Sequence, residues 1–144
     1  MERSKQMVRP MKIEDYEKVY KLWEEAEEVC INPKDDTYEK IALFLTKNPE
    51  LCFVATEEET IVGAIMAAYD GRRGHIYHTV VDSNARKKGI GTQLVDKVLE
   101  QFEKLEVSEI DLLAVGSNTV GNDFWERRGF LQKPQLNYRR KVVE

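Results

Sequence analysis

The sequence is short of several things at once, and each shortage narrows what the chain can do. It has only two cysteines, Cys30 and Cys52, and two histidines, His75 and His78, in 144 residues. The cysteines stand far apart in no CxxC pair, and there is no Cys/His cluster to supply the ligands of a structural zinc ion. They read as reduced thiols of a cytoplasmic protein, with Cys52 in the apolar run Leu51–Ala55. No apolar stretch approaches the roughly 20 residues that a membrane span needs. Met1–Met11 carries charges without the apolar core of a signal peptide. Basic excess is missing too: a net charge of −4 gives no field to hold nucleic acid or an anionic membrane. Repeats, low-complexity tracts and linkers are absent, so residues 1–144 are expected to form one domain.

What is present is a globular composition, 42% apolar and 33% charged with both signs mixed. Val8–Met11 reads as a short first strand, with Pro10 suiting an edge or strand end. Glu14 or Asp15 can open a helix carrying Tyr16, Val19, Tyr20, Trp23 and Ala26 at helical spacing. After a loop marked by Asn32-Pro33, Thr37 is a plausible N-cap for a second helix that stops before Pro49. Leu51–Thr56, Ile61–Tyr69 and His75–Val81 then read as three antiparallel strands, joined at Glu57–Thr60 and at Asp70-Gly71. Leu94, Val95, Val98, Leu99, Phe102 and Leu105 form one face of a helix. Glu109–Val115 reads as a strand, Asn118–Arg128 as a helix ended by Gly129, and Leu136–Val143 as a last strand, with room for a short extra one near Phe130–Lys133. Hairpins combined with one βαβ crossover make the class α/β of the mixed α+β kind.

The chemistry is concentrated between Val80 and Thr92. There a strand runs into the basic turn Arg86-Lys87-Lys88-Gly89-Ile90-Gly91, which opens a helix. The first N–H groups of a helix lack intrahelical partners and carry the positive end of its dipole, so they stabilise an anion. Gly89 and Gly91 remove side chains that would stand between a phosphate and those N–H groups. The pattern is not the P-loop GxxxxGK[ST]. Nor is it a dinucleotide fingerprint, which follows the first strand of a βαβ unit.

Arg86-x-x-Gly89-x-Gly91, after a strand ending at Val81, resembles the acetyl-CoA signature of the GNAT superfamily of N-acetyltransferases. Asn118-Thr119-Val120-Gly121-Asn122-Asp123-Phe124-Trp125-Glu126-Arg127-Arg128-Gly129-Phe130 resembles that family's later N-x-x-A-x-x-F-Y-x-x-x-G-F helix. Tyr69–Gly74 is similar to small bacterial members of the YpeA type. The resemblance spans essentially the whole chain. It implies a mostly antiparallel sheet, splayed between strands 4 and 5 and flanked by about four helices. It also implies acetyl-CoA as acetyl donor. The backbone of Thr79, Val80 and Val81 would pair with the pantetheine arm like an added strand. Amides from Lys87, Lys88, Gly89, Ile90, Gly91 and Thr92 would hold the pyrophosphate, with Arg86 at the rim and Asn118 near the pantetheine.

The implied reaction is direct attack of a neutral primary amine, on a small molecule, peptide or protein N-terminus, at the thioester carbonyl. A backbone N–H at Val81 or a neighbour would polarise that carbonyl. Where the family often has a tyrosine to protonate the departing thiolate, this chain has Trp125, which can donate a hydrogen bond but no proton. Trp125 either stabilises sulfur or packs, and Tyr138 on the last strand is either the substitute acid or a half-buried strand aromatic. Leu113 stands where some relatives carry a glutamate base, leaving Tyr77, His78 and Asp82 as alternatives; histidine is a residue type suited to proton transfer near neutral pH, and His78 is either such a base or a structural strand residue. Without a base, a lysine-like amine needs roughly 4.6 kcal/mol to be neutral at pH 7, and an α-amine only about 1 kcal/mol. An acceptor of low amine pKa is therefore expected. Trp23, Glu27, Glu28, Asp35 and Asp36 either line the acceptor side or form a solvated helix end with Trp23 in the core. The competing reading is a catalytically inactive acyl-CoA-binding sensor or regulatory module, and in either reading the protein is expected as a monomer or homodimer.

Overall fold

The runs Leu51–Ala55 and Ile61–Ala67 are apolar throughout, without the alternation of a half-exposed strand, because both of their faces are buried. The computed structural model describes residues 5–143; residues 1–4, part of the segment read for a signal sequence, and residue 144 lie outside it. Its elements are β1 (Gln6–Pro10), α1 (Tyr16–Glu25), α2 (Tyr38–Lys47), β2 (Cys52–Glu57), β3 (Thr60–Tyr69), β4 (Gly74–Val81), α3 (Ile90–Lys104), β5 (Ile110–Leu112) and α4 (Thr119–Arg127). Short 3-10 turns at Ile13–Asp15 and Ser83–Ala85 precede α1 and follow β4. The strands form one sheet in the order β1-β2-β3-β4-β5, antiparallel except for the parallel pair β4–β5.

The two faces carry separate cores. Cys52 and Val54 of β2, with Ala64 and Met66 of β3, meet Val19, Leu22 and Trp23 of α1 and Ile41 of α2. Phe53, Ala55, Ile65 and Ala67 point the other way, onto Leu94, Val95, Val98 and Phe102 of α3. Burying side chains of this size contributes roughly 1.5–3 kcal/mol each. Gly74, the first residue of β4, lies under α3 so closely that a Cβ there would sit 2.6 Å from Cζ of Phe102. Burial pushes the Cys52 thiol up to about 12, as befits a core residue.

Local chemistry sets the helix starts. Thr37 Oγ1 accepts the Lys40 N–H at 3.2 Å, capping α2. Burial opposes ionisation of Asp15. The Arg9 guanidinium fork (2.8 and 2.9 Å) and the Lys12 N–H (2.9 Å) outweigh it and hold the carboxyl below its usual range. At Asp70, N–H bonds from Arg73 and Arg72 to the carboxylate tie the β3–β4 turn, and Gly71 supplies a φ of +100°.

The C-terminal third departs from the expectation. The strand expected over Glu109–Val115 is paired only at Ile110–Leu112. No strand forms over Leu136–Val143 or near Phe130–Lys133; every residue from Leu131 to Val143 is exposed. Leu136, Tyr138, Val142 and Val143 are strand-forming residue types, but no described strand takes them as a ladder partner, and an unpaired strand has nothing to offset its ordering entropy.

Candidate active site

The turn after β4 is built by short-range hydrogen bonds and two left-handed residues. Asp82 Oδ1 accepts the Asn84 N–H at 2.8 Å, and buried Ala85 anchors the turn in the core beneath α3. Lys87 (φ +67°) and Gly89 (φ +78°) then swing the chain into α3. The Gln93 N–H closes the first helical bond, to Gly89 O at 3.0 Å. The N–H groups of Ile90, Gly91 and Thr92 therefore have no acceptor within the helix. A Cβ on Gly89 would meet nothing within 4 Å, so the turn is open on that side.

The basic side chains of the turn are largely engaged by carboxylates. Arg86 makes a two-point contact with Glu28 (3.0 and 3.2 Å), and its Nε donates to Val81 O at 3.3 Å. Lys88 pairs with Glu57 at 3.0 Å. Lys87 has no ion pair among the described residues. What the turn can offer an anion is thus its peptide N–H groups and Lys87 more than three free cations.

β4 leads into this turn with one edge open. Its pairing with β5 covers Gly74, His75 and Ile76 and then stops, which is the splay expected between the fourth and fifth strands. On the other side β4 stays paired with β3 as far as Gly63↔Val81. Asp82 N–H donates to Val62 O across that ladder at 2.7 Å. Because backbone groups alternate along a strand, the N–H groups of Val81 and Thr79 and the C=O of Thr79 face the open edge, where the Val81 C=O already accepts from Arg86 Nε. Val80, on the other phase, gives its peptide groups to β3 and its side chain to the core. Of the three residues expected to offer backbone to a ligand, Val80 is the one whose peptide groups are already taken by β3.

A register shift between β3 and β4 carries a further consequence. Ile65 is opposite Thr79 while Ala67 is opposite Ile76, so β4 holds one extra residue. Ile76 points into the core under α3. Tyr77 and His78 then both turn to the opposite face, where Tyr77 meets Phe44 of α2 (ring centroids 5.7 Å) and His78 meets Trp23 of α1 (4.8 Å).

His78 is not alone there. Its Nε2 lies 2.9 Å from Oδ2 of Asp36, in the loop between α1 and α2, and side-chain exposures are only 21% and 9%. Asp36 Oδ2 also accepts the Asn32 N–H (2.9 Å), and the Tyr16 hydroxyl donates to the Asp36 carbonyl (2.6 Å). Burial opposes ionisation of Asp36, but the bonds from His78 and Asn32 outweigh it and hold the carboxyl below its usual range. Forty-two positions separate Asp36 from His78, and no local spacing announces their contact. The residues expected around the first loop divide: Trp23 and Asp36 are buried, Glu28 is drawn to Arg86, and Glu27 and Asp35 are exposed.

The acid candidates are placed apart from this cluster. Trp125 sits edge-on between Phe124 (5.1 Å) and Phe130 (5.2 Å) and packs against the core under α3. Tyr138 is exposed, and its hydroxyl accepts a hydrogen bond from Arg140 Nε at 2.8 Å. Leu113 is exposed, and Asp82 is occupied in capping the turn after β4. Asn118 Oδ1 caps α4 by accepting the Gly121 N–H at 3.1 Å, which leaves the Asn118 Nδ2 as a donor. Gly121 stands where the family motif has alanine, and a Cβ there would overlap the Asn118 amide.

An open strand edge running straight into an uncapped helix N-terminus suits a ligand with an extended amide arm and a pyrophosphate, the outline of acetyl-CoA. Comparison with known proteins points the same way. The model described as the Acetyltransferase (GNAT) family matches residues 16–130. An acetyltransferase of Sodalis glossinidius (strain morsitans) is 28% identical over 138 residues, 95% of this chain and 96% of that protein. Ard1 from Thermoplasma volcanium superposes with a TM-score of 0.77 at 23% identity, covering 88% of this chain and 82% of that one. The NatC complex bound to Gag peptide and CoA gives 0.77 at 21%, covering 90% and 86%. At such identities the two structures speak for the fold, and they agree with the mixed α+β architecture described above.

Proposed function

The chain belongs to the GNAT family of acetyltransferases, and from that premise we propose that it transfers the acetyl group of acetyl-CoA to a primary amine. The acceptor is a small molecule, a peptide or a protein N-terminus. The observation that carries this reading is the open edge of β4 at Thr79 and Val81 leading into the unpaired N–H groups of Ile90, Gly91 and Thr92. Acetyl-CoA supplies the activated thioester. In this reading Thr79 and Val81 align its amide arm, the amides from Lys87 to Thr92 hold its pyrophosphate, and Asn118 Nδ2 donates to the arm from α4.

Trp125 fills the core in this scheme, and Tyr138 remains with Arg140. A thiol of ordinary pKa, about 8.5, leaves as thiolate at pH 7 for about 2 kcal/mol, which requires no dedicated acid. The acceptor approaches from the face of α1 and α2, where Tyr77 and His78 lie. Among the described residues no helix is long and apolar enough to cross a membrane.

The test is CoA release from acetyl-CoA across amino acids, free-N-terminal peptides, polyamines and aminoglycosides, with Gly89→Glu in parallel. Saturable turnover with one class of amine is expected, and Gly89→Glu should lose acetyl-CoA binding by charge repulsion at the turn. Unaltered affinity in that variant would refute the site. Binding without turnover on any amine would favour the sensor reading.

A further inference from the structure

We propose that Asp36 and His78 form the base of the transfer reaction, with Asp36 as positioning residue and Nδ1 of His78 as the atom that takes the acceptor's proton. The inference rests on the acetyl-transfer reading and adds to it a defined base on an identified ring nitrogen.

The geometry fixes the tautomer. Asp36 is held ionised, and an ionised carboxylate can only accept hydrogen bonds. The 2.9 Å contact therefore requires the proton of the neutral imidazole to be on Nε2. Nδ1 then carries the lone pair, and no described residue makes a hydrogen bond to it. The carboxylate is itself anchored, by the Asn32 N–H on its own Oδ2 and by the Tyr16 hydroxyl on the Asp36 carbonyl. Trp23 stands edge-on to the ring. The extra residue in β4 is what turns His78 to the face of α1 and α2, directly before the open edge at Thr79. A ring so held cannot rotate to offer Nε2 instead without losing a charge-assisted bond.

The chemistry balances without a further reagent. The amine nitrogen bonds to the thioester carbonyl carbon, and the C–S bond breaks with its electron pair going to sulfur. The proton shed by the new amide nitrogen goes to Nδ1. The resulting imidazolium faces the Asp36 carboxylate, which stabilises it, and the proton then leaves to the thiolate or to water.

The experiment uses the full chain. Nitrogen-15 NMR of the imidazole of His78 is expected to show the Nε2–H tautomer in the wild type and in Asp36→Asn, whose carbonyl still accepts, and a mixture in Asp36→Ala. With the acceptor found in the amine panel, His78→Ala should lower kcat by at least about 10²-fold, leave acetyl-CoA affinity within about twofold, and recover part of its rate on addition of free imidazole. Asp36→Asn should lower kcat about tenfold with KM for the amine little changed. A Nδ1–H tautomer in the wild type would overturn the assignment. So would variants that melt lower but keep the wild-type kcat, since that would leave Asp36–His78 as a structural staple between loop and sheet. If the wild type acetylates no amine, the acetyl-transfer reading itself fails; a wild type that turns over while the variants do so equally well refutes only the dyad.

Discussion

A methyl group added at Gly89 would meet no atom within 4 Å, yet the residue holds φ at +78°, a conformation that costs an L-residue roughly 1–2 kcal/mol. Gly91, two positions on, is the converse case. It lies in the first turn of α3 with helical neighbours, and its added Cβ would rest 3.5 Å from the Phe124 ring, an ordinary contact. A helical alanine is favoured over glycine by about 1 kcal/mol. Gly89→Ala is therefore expected to melt lower than the wild type, and Gly91→Ala higher by about 2–4 °C. The second variant should nevertheless bind CoA more weakly, because its methyl group narrows the approach to the helix N–H groups. Thermal melts and a CoA titration on the same two proteins check both halves. A lowered melting point for Gly91→Ala would show that Phe124 has no room to accept the contact. The two glycines of one motif thus answer to different demands, backbone conformation at Gly89 and ligand access at Gly91.

At the scale of elements, the turn between β2 and β3 shows a rule being strained. Glu58 (φ +49°) and Glu59 (φ +70°) both occupy the left-handed region that such tight hairpins require, and Asn-Gly is the pair that fits there without strain. Replacing Glu58-Glu59 by Asn-Gly is expected to stabilise the protein by about 1 kcal/mol or more, raising the melting temperature by at least about 2–4 °C. No gain in a calorimetric melt would mean that these acidic side chains repay the strain elsewhere. The hairpin was legible in the sequence from the apolar runs on either side of Glu57–Thr60. The Leu94–Phe102 face and the glycine turn before it were legible for the same reason: their signals are local, a period or a spacing read within a dozen residues. What was not legible is set by partners distant in sequence. The extra residue in β4 is visible only against β3. The Asp36–His78 contact joins a loop to a strand with no motif shared between them. The tail Leu136–Val143 carries strand-forming residues at both ends, but a strand also needs a free ladder beside it, and β5 is paired for only three residues.

Across the whole molecule, burial is unevenly divided. Both faces of β2 and β3 are covered, and α3 buries Ile90, Leu94, Val95, Val98 and Phe102. Beyond Phe102 no described residue is buried, and β5, α4 and the tail are held by half-buried contacts such as Ile110, Leu112, Phe124, Trp125 and Phe130 on the edge of the core under α3. One ion pair, Arg128–Asp96, ties the end of α4 to α3. Regions with so little buried apolar surface open with a small fraction of the global unfolding free energy. The proposed ligand would touch both parts, β4 and the start of α3 on one side and Asn118 of α4 on the other. A ligand that binds only the closed form stabilises it by about 2.7 kcal/mol at a hundredfold excess over Kd. Amide hydrogen exchange should therefore find β3 and α3 the slowest segments and α4 among the fastest. Saturating CoA should slow exchange in α4 by up to about 100-fold, and the slowest amides of β2 and β3, which exchange only through global opening, by no more than the same factor. Protection confined to the turn before α3, with α4 unaffected, would show that Asn118 does not reach the ligand, and that the C-terminal third closes against something other than the cofactor.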